Sequence, residues 1–371
     1  MKKFSAVLLI LVLAAAMTVV SCGQRAGSLI GIAMPETHVM RWVKDGNSLV
    51  EEAKKLGYRA EVQYGDANQG TQNQQIQSFL TQGAKALIIG CINDGVAPVI
   101  TEAAREGVVV IAYDRLIQNS ADYDFYITFN NFKVGQLQGQ SIVDGLNLDS
   151  ATSAAPKFIT LFAGSPTDGN AFFFFDGAMS ILNPYIDSGA LRVVGPYPRT
   201  SDDRANFQRI ATENWQAPIA KTRMENLLSN DARAVTLDAV LAPNDTLARA
   251  IIEALRADAK YRGNLPVVTG QDAEFASAMS IRNGEQFSTV FKDTAKLAEA
   301  AILLADQALR GVPINIPGAV LAADIGLAEI GDTGRKVVHA YLLDPILVTR
   351  DNLNVMIEAE FYERHEAVQL Q

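Results

Sequence analysis

The sequence is poor in the residues that disulfides, metal sites and histidine catalysis need. It has only two cysteines and three histidines in 371 residues. Cys22 ends an apolar N-terminal run, and we interpret Cys91, in the apolar run 86–91, as a small core residue. The histidines lie far apart and lack the spacing of metal ligands: His38, His339 and His365. We therefore expect neither a disulfide within the chain nor a metal, and histidine-based acid–base chemistry has little support.

Signals for nucleotide and nucleic-acid binding are also missing. No GxGxxG or GxxxxGK[ST] motif opens any predicted helix, so a nucleotide phosphate site has no support. The net charge is -9 at pH 7, and no predicted helix carries a basic stripe. We expect no cofactor and no nucleic-acid partner.

One apolar run is long enough to matter for membranes, and it lies at the N-terminus. Phe4 to Val20 carries no charge, follows Met1-Lys2-Lys3 and leads into Val19-Val20-Ser21-Cys22-Gly23, which resembles a lipobox. We expect a lipoprotein signal peptide over residues 1–21, a lipid on Cys22 and a tether over 22–28. This predicts a protein in the periplasm or at the cell surface, held to the membrane by lipid only. An uncleaved transmembrane helix and ordinary secretion are the alternatives.

From Ser28 onwards, short β-branched runs alternate with longer segments of helical period, which is typical of a parallel sheet covered by helices. A first series of strands is complete by residue 115: Leu29–Met34, Ala60–Tyr64, Ala86–Cys91 and Val108–Tyr113. A second series follows: Phe125–Phe129, Phe158–Ala163, Val193–Gly195, Ala239–Ala242 and Val267–Gly270. The strand Gln286–Phe291 and the helix Thr294–Leu309 come after it and could return to the first domain.

The rhythm predicts an α/β protein with two doubly wound parallel-sheet domains. We expect an N-terminal domain over residues 29–129 plus about 293–338, and a C-terminal domain over 130–292 plus about 339–371. Several strands would then form a hinge. A ligand cleft is expected between the domains, because open α/β sheets bind ligands at the carboxyl ends of their strands.

Polar residues follow four of the predicted strands directly. The pairs are Asp114-Arg115, Asn244-Asp245, Gln271-Asp272 and Lys292-Asp293. One interpretation is that Asp245 and Asp293 only cap helices and that Arg115 pairs with a neighbouring carboxylate. Four such pairs at the same structural position favour a ligand that carries many hydroxyl groups.

A family resemblance is carried by segments spread from Leu29 to beyond Tyr362. They are Gly31–Pro35, Arg41-Trp42, Ile111–Ile117, Phe129–Gly135, Gly164–Pro166, Asn170-Ala171, Gly270–Ala273 and Phe291-Lys292. These segments resemble the periplasmic aldose-binding proteins of ABC importers, in particular the xylose-binding and multiple-sugar-binding group. The resemblance implies a type I periplasmic-binding-protein fold. The chain departs from the xylose-binding proteins over Pro35–Met40, where Met40 replaces an acidic residue.

The resemblance also implies a role for eight residues. Arg41 would reach the sugar from the N-terminal domain, and Asp114 with Arg115 would bind ring hydroxyls. The C-terminal domain would supply Asn170, Trp215, Asn244, Asp272 and Lys292, with Trp215 as the aromatic plane against the C–H face of the sugar. Burial of Trp215 for packing alone is the alternative. The calcium loop of the galactose-binding relatives is absent from the sequence.

These observations lead to a functional expectation. The chain is interpreted as a monomeric solute-binding lipoprotein that captures an aldose such as xylose, glucose or galactose and delivers it to an ABC permease. The alternative output is sensing, in which the closed form signals to a chemoreceptor or a sensor kinase. An enzyme using Asp114 and Asp272 is a weaker alternative, and the export signal argues against a repressor of the same fold.

Overall fold

The computed structural model describes residues 27–370. The predicted signal peptide, Cys22 and most of the tether lie outside this range. The chain divides into two compact units. Of the described residues, unit 1 contains those up to Thr37 with Trp42–Ile127 and Ala295–Tyr341, and unit 2 contains His38–Arg41, Thr128–Thr294 and those from Leu342 onwards. Between residues 27 and 370, every helix is too short or too polar to cross a bilayer.

The strands are short, and in chain order they are β1 Leu29–Met34, β2 Arg59–Tyr64, β3 Ala86–Ile89, β4 Val109–Tyr113, β5 Phe125–Phe129, β6 Lys157–Leu161, β7 Leu191–Val193, β8 Ala239–Leu241, β9 Val267–Val268, β10 Ser288–Phe291, β11 Ala319–Leu321, β12 His339–Leu343 and β13 Ile346–Thr349. The α-helices are Arg41–Lys55, Gln69–Thr81, Ala97–Arg105, Asn131–Leu146, Gly169–Asp187, Arg204–Ile210, Ala217–Ser229, Asp245–Ala257, Phe275–Arg282, Thr294–Arg310, Asn354–Glu358 and Arg364–Leu370.

The first sheet has seven strands in the order β11-β12-β5-β4-β3-β1-β2. The pairs β1–β2, β1–β3, β3–β4 and β4–β5 are parallel. β1 and β3 are buried along their whole length, as expected for central strands covered on both faces.

Two expectations about this sheet were wrong. It is not complete by residue 115, because β11 and β12 from the C-terminal part of the chain join it. Phe125–Phe129 does not open the second sheet, because it pairs with β4 in the register Ile111↔Phe125. A short apolar run shows that a strand forms but not which strand it pairs with, so the sequence left both points undetermined.

The sheet of unit 2 is built from a parallel and an antiparallel part. β7-β6-β8-β9 is parallel, and β10 pairs antiparallel with β13. Backbone hydrogen bonds join the two parts: Phe287 N donates to Val268 O at 3.0 Å, and Val290 N donates to Gly270 O at 3.1 Å. Thus β10 belongs to unit 2, whereas the helix after it lies in unit 1 from Ala295 onwards.

Two helices of unit 2 cross with their backbones in contact. A Cβ atom on Gly135 would lie 1.9 Å from Phe174 O, and one on Gly177 would lie 2.1 Å from Phe132 O, so no side chain fits at either position. One helix follows β5 of the first sheet, and the other follows β6 of the unit 2 sheet. This crossing fixes the first turns of the two helices against each other.

The C-terminal segment of the chain supports the loop that follows β9. Tyr362 Oη donates a 2.6 Å hydrogen bond to the carbonyl of Ala273. Around it lies an apolar cluster that consists of Ala273, Ala278, Ile281, Phe291, Val348, Leu353, Met356, Phe361 and Leu370. The loop that carries Asp272 is therefore packed against the C-terminal segment.

Candidate functional site

The predicted residues of unit 1 lie in a sharp turn at the end of β4. Asp114 has φ +62°, and the amide of Arg115 donates to the carbonyl of Tyr113 at 2.7 Å, which closes a γ-turn around Asp114. Two hydrogen bonds with β5 stabilise the turn: Tyr126 Oη donates to Asp114 O at 2.8 Å, and Asp114 N donates to Ile127 O at 2.8 Å. The side chain of Asp114 is buried. Positive φ in a non-glycine residue costs energy and is often found at functional sites.

Arg115 is held on three sides within unit 1. Its Nη2 donates to Glu36 Oε1 at 3.2 Å, and its Nη1 donates to the carbonyl of Cys91 at 3.2 Å. The guanidinium carbon lies 4.9 Å from the ring centroid of Trp42, whose Nε1 donates to the same Glu36 oxygen at 3.1 Å. We call Glu36, Trp42, Asp114 and Arg115 the unit 1 cluster. One interpretation of the sequence was that Arg115 pairs with a carboxylate, and in the structure that carboxylate belongs to Glu36.

Three charged side chains come together in unit 2. Lys292 Nζ lies 2.9 Å from Asp272 Oδ1, and Arg41 Nη1 lies 3.8 Å from the same oxygen. Lys292 is only 2% exposed, and its ammonium group lies 5.4 Å from the centroid of the Phe174 ring. We call Arg41, Asp272 and Lys292 the charged triad. Charges that lie this deep need partners, because burial of an isolated charge costs several kcal/mol.

The backbone positions Asp272 by an unusual conformation. Asp272 has φ +89° and the next residue, Ala273, has φ +51°. Two bonds to β10 hold this double bend: Asp272 N donates to Val290 O at 3.0 Å, and Ala273 N donates to Thr289 Oγ1 at 3.2 Å. The chain therefore leaves β9 on a path that turns the Asp272 carboxylate towards Lys292.

Asn170 is fixed by a second buried amide, Asn131. Asn131 Nδ2 donates to Asn170 Oδ1 at 2.8 Å, a contact that joins the first turns of the two crossing helices. The neighbouring residue Asp168 accepts the amide of Asn170 at 3.0 Å and caps that helix. Its other oxygen accepts the indole N–H of Trp215 at 3.1 Å.

Trp215 is buried and lies at the end of a short 3-10 turn, directly before the helix Ala217–Ser229. Its ring packs on bare backbone: a Cβ atom on Gly164 would lie 2.1 Å from the ring. Asn214 and Trp215 both have positive φ, and His38 Nε2 forms a 3.0 Å hydrogen bond with the carbonyl of Asn214. The indole ring thus packs against the backbone at Gly164, and its N–H donates to Asp168.

Asn244 caps the helix Asp245–Ala257, since its Oδ1 accepts the amide of Leu247 at 3.0 Å. The capping role expected for Asp245 therefore belongs to Asn244. Asp245 is fully buried and accepts from Gln286 Nε2 at 2.8 Å and Thr289 Oγ1 at 3.0 Å. Burial raises the pKa of Asp245 well above its ordinary value.

Three buried amides in unit 2 have an oxygen that no described residue satisfies: Gln286, which donates to Asp245, and the two residues Asn131 and Gln271. Asn131 Oδ1 and Gln271 Oε1 are shielded from solvent and accept no hydrogen bond within residues 27–370. Asn131 is 1% exposed and Gln271 is 2% exposed. A buried acceptor without a donor is costly, so these two oxygens are suited to receive hydroxyl groups from a ligand.

The structure brings Arg41, Asp272 and Lys292 into direct contact, and it places Asp114 next to Arg115. Asn170 and Trp215 are linked through Asp168, whereas the side chain of Asn244 is used as a helix cap. Sequence reasoning gave no role to Glu36, Asn131 or Phe174, and it named Gln271 only as a polar residue after a strand. Only the fold shows what these side chains contact. Among residues 27–370 there is no group of three or more His, Cys, Asp or Glu side chains that could hold a metal ion.

Comparison with known proteins places this chain in a family. Residues 30–313 match the periplasmic binding protein domain. The multiple sugar-binding periplasmic receptor of Rhizobium radiobacter is 42% identical over 339 residues, covering 90% of each chain. The D-xylose-binding periplasmic protein of Escherichia coli is 35% identical and covers 91% of this chain and 92% of its own.

Solved structures agree. An ABC transporter solute-binding protein from Clostridium phytofermentans, solved with β-D-glucose, is 34% identical with a TM-score of 0.80, covering 92% of this chain and all of its own. A carbohydrate transporter solute-binding protein from Chloroflexus aurantiacus, solved with D-glucose, is 31% identical with a TM-score of 0.79, covering 91% and 97%. The chain therefore belongs to the periplasmic binding proteins and has the type I fold of that family.

Proposed function

We propose that this protein binds a monosaccharide, an aldose such as glucose, xylose or galactose, and delivers it to an ABC permease. The observation that carries the proposal is a set of buried polar groups in unit 2. Arg41 and Lys292 supply donors, Asp272 supplies an acceptor, and Asn131 and Gln271 supply oxygens that accept no hydrogen bond from residues 27–370. A sugar hydroxyl both donates and accepts, so a row of hydroxyls can satisfy both kinds of group.

The charge balance also favours a neutral ligand. In the charged triad, Arg41 and Lys292 share one carboxylate, and in unit 1 Arg115 is already paired with Glu36. An anionic ligand would compete with these carboxylates for the cations. A neutral polyol needs no such exchange, because hydroxyl groups add hydrogen bonds to charged side chains without displacing their partners.

The affinity that transport needs is within reach of these groups. Hydrogen bonds to charged partners contribute about 1.5–3 kcal/mol each, and a micromolar dissociation constant requires about 8.2 kcal/mol. A few such bonds, with an aromatic contact from Trp215, are enough. Binding without catalysis accounts for these side chains, so we propose that the protein is not an enzyme.

A ligand panel tests the proposal by thermal unfolding. A ligand at 100 times its dissociation constant stabilises the folded protein by about 2.7 kcal/mol. D-Glucose, D-xylose and D-galactose at 1 mM should raise the melting temperature by several degrees if binding is micromolar. Sorbitol, glycine and phosphate at the same concentration serve as controls and should leave it unchanged. A shift with the controls but with none of the aldoses would refute the proposal.

The delivery step calls for a position near the membrane, and we propose that the lipid on Cys22 provides it in the periplasm or at the cell surface. Tethering raises the effective concentration of the binding protein at a permease. Growth with an alkyne-labelled fatty acid should label the wild type and not the Cys22→Ala variant, which should appear in the soluble fraction. Label on both proteins would exclude Cys22 as the site. Signalling to a chemoreceptor or sensor kinase stays a prediction from the sequence.

A further inference from the structure

We propose that Glu36 is a positioning residue that orients the guanidinium group of Arg115 for sugar binding. The inference rests on the proposed function, because it assigns Arg115 to the ligand. Glu36 was not among the residues predicted to bind sugar. It lies in the loop between β1 and the helix Arg41–Lys55.

The geometry shows what Glu36 contributes. A single oxygen, Oε1, accepts from Arg115 Nη2 at 3.2 Å and from Trp42 Nε1 at 3.1 Å. Both donors are parts of rigid planar groups, and the Arg115 guanidinium lies 4.9 Å from the Trp42 ring centroid. One carboxylate oxygen therefore ties the indole to the guanidinium that stacks on it. The carbonyl of Cys91 binds Nη1 and fixes the remaining rotation.

Burial makes this arrangement difficult to explain by packing alone. Glu36 is 3% exposed and Arg115 is 7% exposed. An apolar residue of similar volume often packs equally well or better in place of a buried ion pair. A paired Glu36 does what such a residue could not, because it balances the charge of Arg115 and accepts an N–H from it. The pair thus keeps a guanidinium at the end of β4 with few rotamers available, so that less side-chain entropy is lost when a ligand binds.

A double-mutant cycle with Glu36→Gln and Arg115→Met tests the inference by sugar binding. Glu36→Gln keeps the size and one acceptor oxygen but removes the charge, and we expect it to weaken binding by roughly 10-fold. Arg115→Met should weaken it by roughly 100-fold or more. The double variant should bind no more weakly than Arg115→Met alone, because Glu36 acts through Arg115. If the two losses of affinity multiply, so that the double variant binds sugar roughly 1,000-fold more weakly than the wild type, the inference is overturned.

A ligand-independent measurement makes the test decisive even if no aldose binds. The chain has two tryptophans, so Trp42 is the only one in a Trp215→Phe background. Glu36→Gln and Arg115→Met should each shift the emission of Trp42, and the double variant should shift it no further than the larger single change. The control variant Glu61→Gln changes a half-buried glutamate of unit 1 that pairs with Arg59, and it should have no effect on emission or binding. Unchanged Trp42 emission in Glu36→Gln would overturn the inference. If the three variants shift the emission as expected but the wild type binds no aldose, only the proposed function is overturned.

Discussion

Removing the carboxylate of the charged triad should cost more stability than removing the lysine. Asp272→Asn is the informative change, because asparagine tolerates the φ of +89° at this position better than alanine does. It leaves Lys292 and Arg41 buried, at 2% and 7% exposure, beside a side chain that no longer carries the negative charge both approach. Lys292→Met leaves Asp272 with Arg41 still 3.8 Å away. The asymmetry follows from two cations sharing one carboxylate.

The magnitudes can be bounded from this geometry. Breaking a buried pair by removing one partner costs about 3–5 kcal/mol. We expect Asp272→Asn to fall in that range, since both cations then lose the charge of the carboxylate they approach. Lys292→Met should cost about 1–3 kcal/mol, because methionine fills the space next to Phe174 and Asp272 keeps a partner. The double variant should be less destabilised than the sum of the two, with a coupling of about 1–3 kcal/mol.

Urea unfolding of the unliganded protein measures the free energy of unfolding of all three variants, and thermal unfolding measures their melting temperatures. In a cooperative unit of about 200 residues, as in unit 2, 1 kcal/mol corresponds to a shift of roughly 2–4 °C in the melting temperature. Asp272→Asn should therefore lower the melting temperature by roughly 6–20 °C. Lys133→Met removes an exposed pair with Asp344 and serves as the matched control, with a cost of at most about 1 kcal/mol. A larger loss for Lys292→Met than for Asp272→Asn, or strict additivity, would refute the reasoning.

Three further changes test the supports of the site. Gly164→Ala should displace the ring of Trp215, destabilise the protein by about 1–3 kcal/mol and weaken sugar binding; unaltered tryptophan fluorescence would contradict this. Tyr362→Phe removes the hydrogen bond to the Ala273 carbonyl and should cost about 0.5–1.5 kcal/mol in urea unfolding, with an unchanged melting curve as the opposing result. Burial raises the pKa of Asp245 in the folded state. The stability that this group contributes is therefore present below its unfolded-state pKa of about 3.9 and is lost as the pH rises through its folded-state pKa. Asp245→Asn should therefore gain stability relative to wild type as the pH rises from about 4, and a difference independent of pH would exclude this assignment.

The alternation of strands and helices was readable from the sequence because parallel strands are continuous apolar runs. Leu29–Met34 and Phe125–Phe129 have the predicted bounds, and most other predicted elements differ by one to three residues at their ends. The C-terminal strands β11, β12 and β13 were not predicted. β11 and β13 are only three or four residues long and partly exposed, so they lack the uniform apolar pattern of a buried parallel strand.

The candidate site was readable only in part. Asp114 and Arg115 directly follow β4 in unit 1, and Asp272 and Lys292 come after β9 and β10 in unit 2. Polar residues at the carboxyl ends of strands are expected at ligand sites of α/β proteins, so the position of each pair could be predicted. The order of strands does not show which side chains contact each other. The contact between Glu36 and Arg115 joins residues 79 positions apart.

The amides were hidden for a different reason. Asn131 lies at the first turn of a helix, where an asparagine is ordinary, and nothing in the sequence shows that its oxygen lacks a donor. Its contact with Asn170 depends on the close crossing of two helices at Gly135 and Gly177. Such a crossing is a property of packing and cannot be read from periodicity.

Titration calorimetry of the purified protein with D-glucose, D-xylose and D-galactose tests the central claim most directly. The account predicts one sugar per chain with a micromolar dissociation constant for at least one of the three. The affinity should fall by roughly 100-fold in Lys292→Met and stay unchanged in the control Lys133→Met. No heat of binding from any of the three at millimolar concentration, or full affinity in Lys292→Met, would contradict the account.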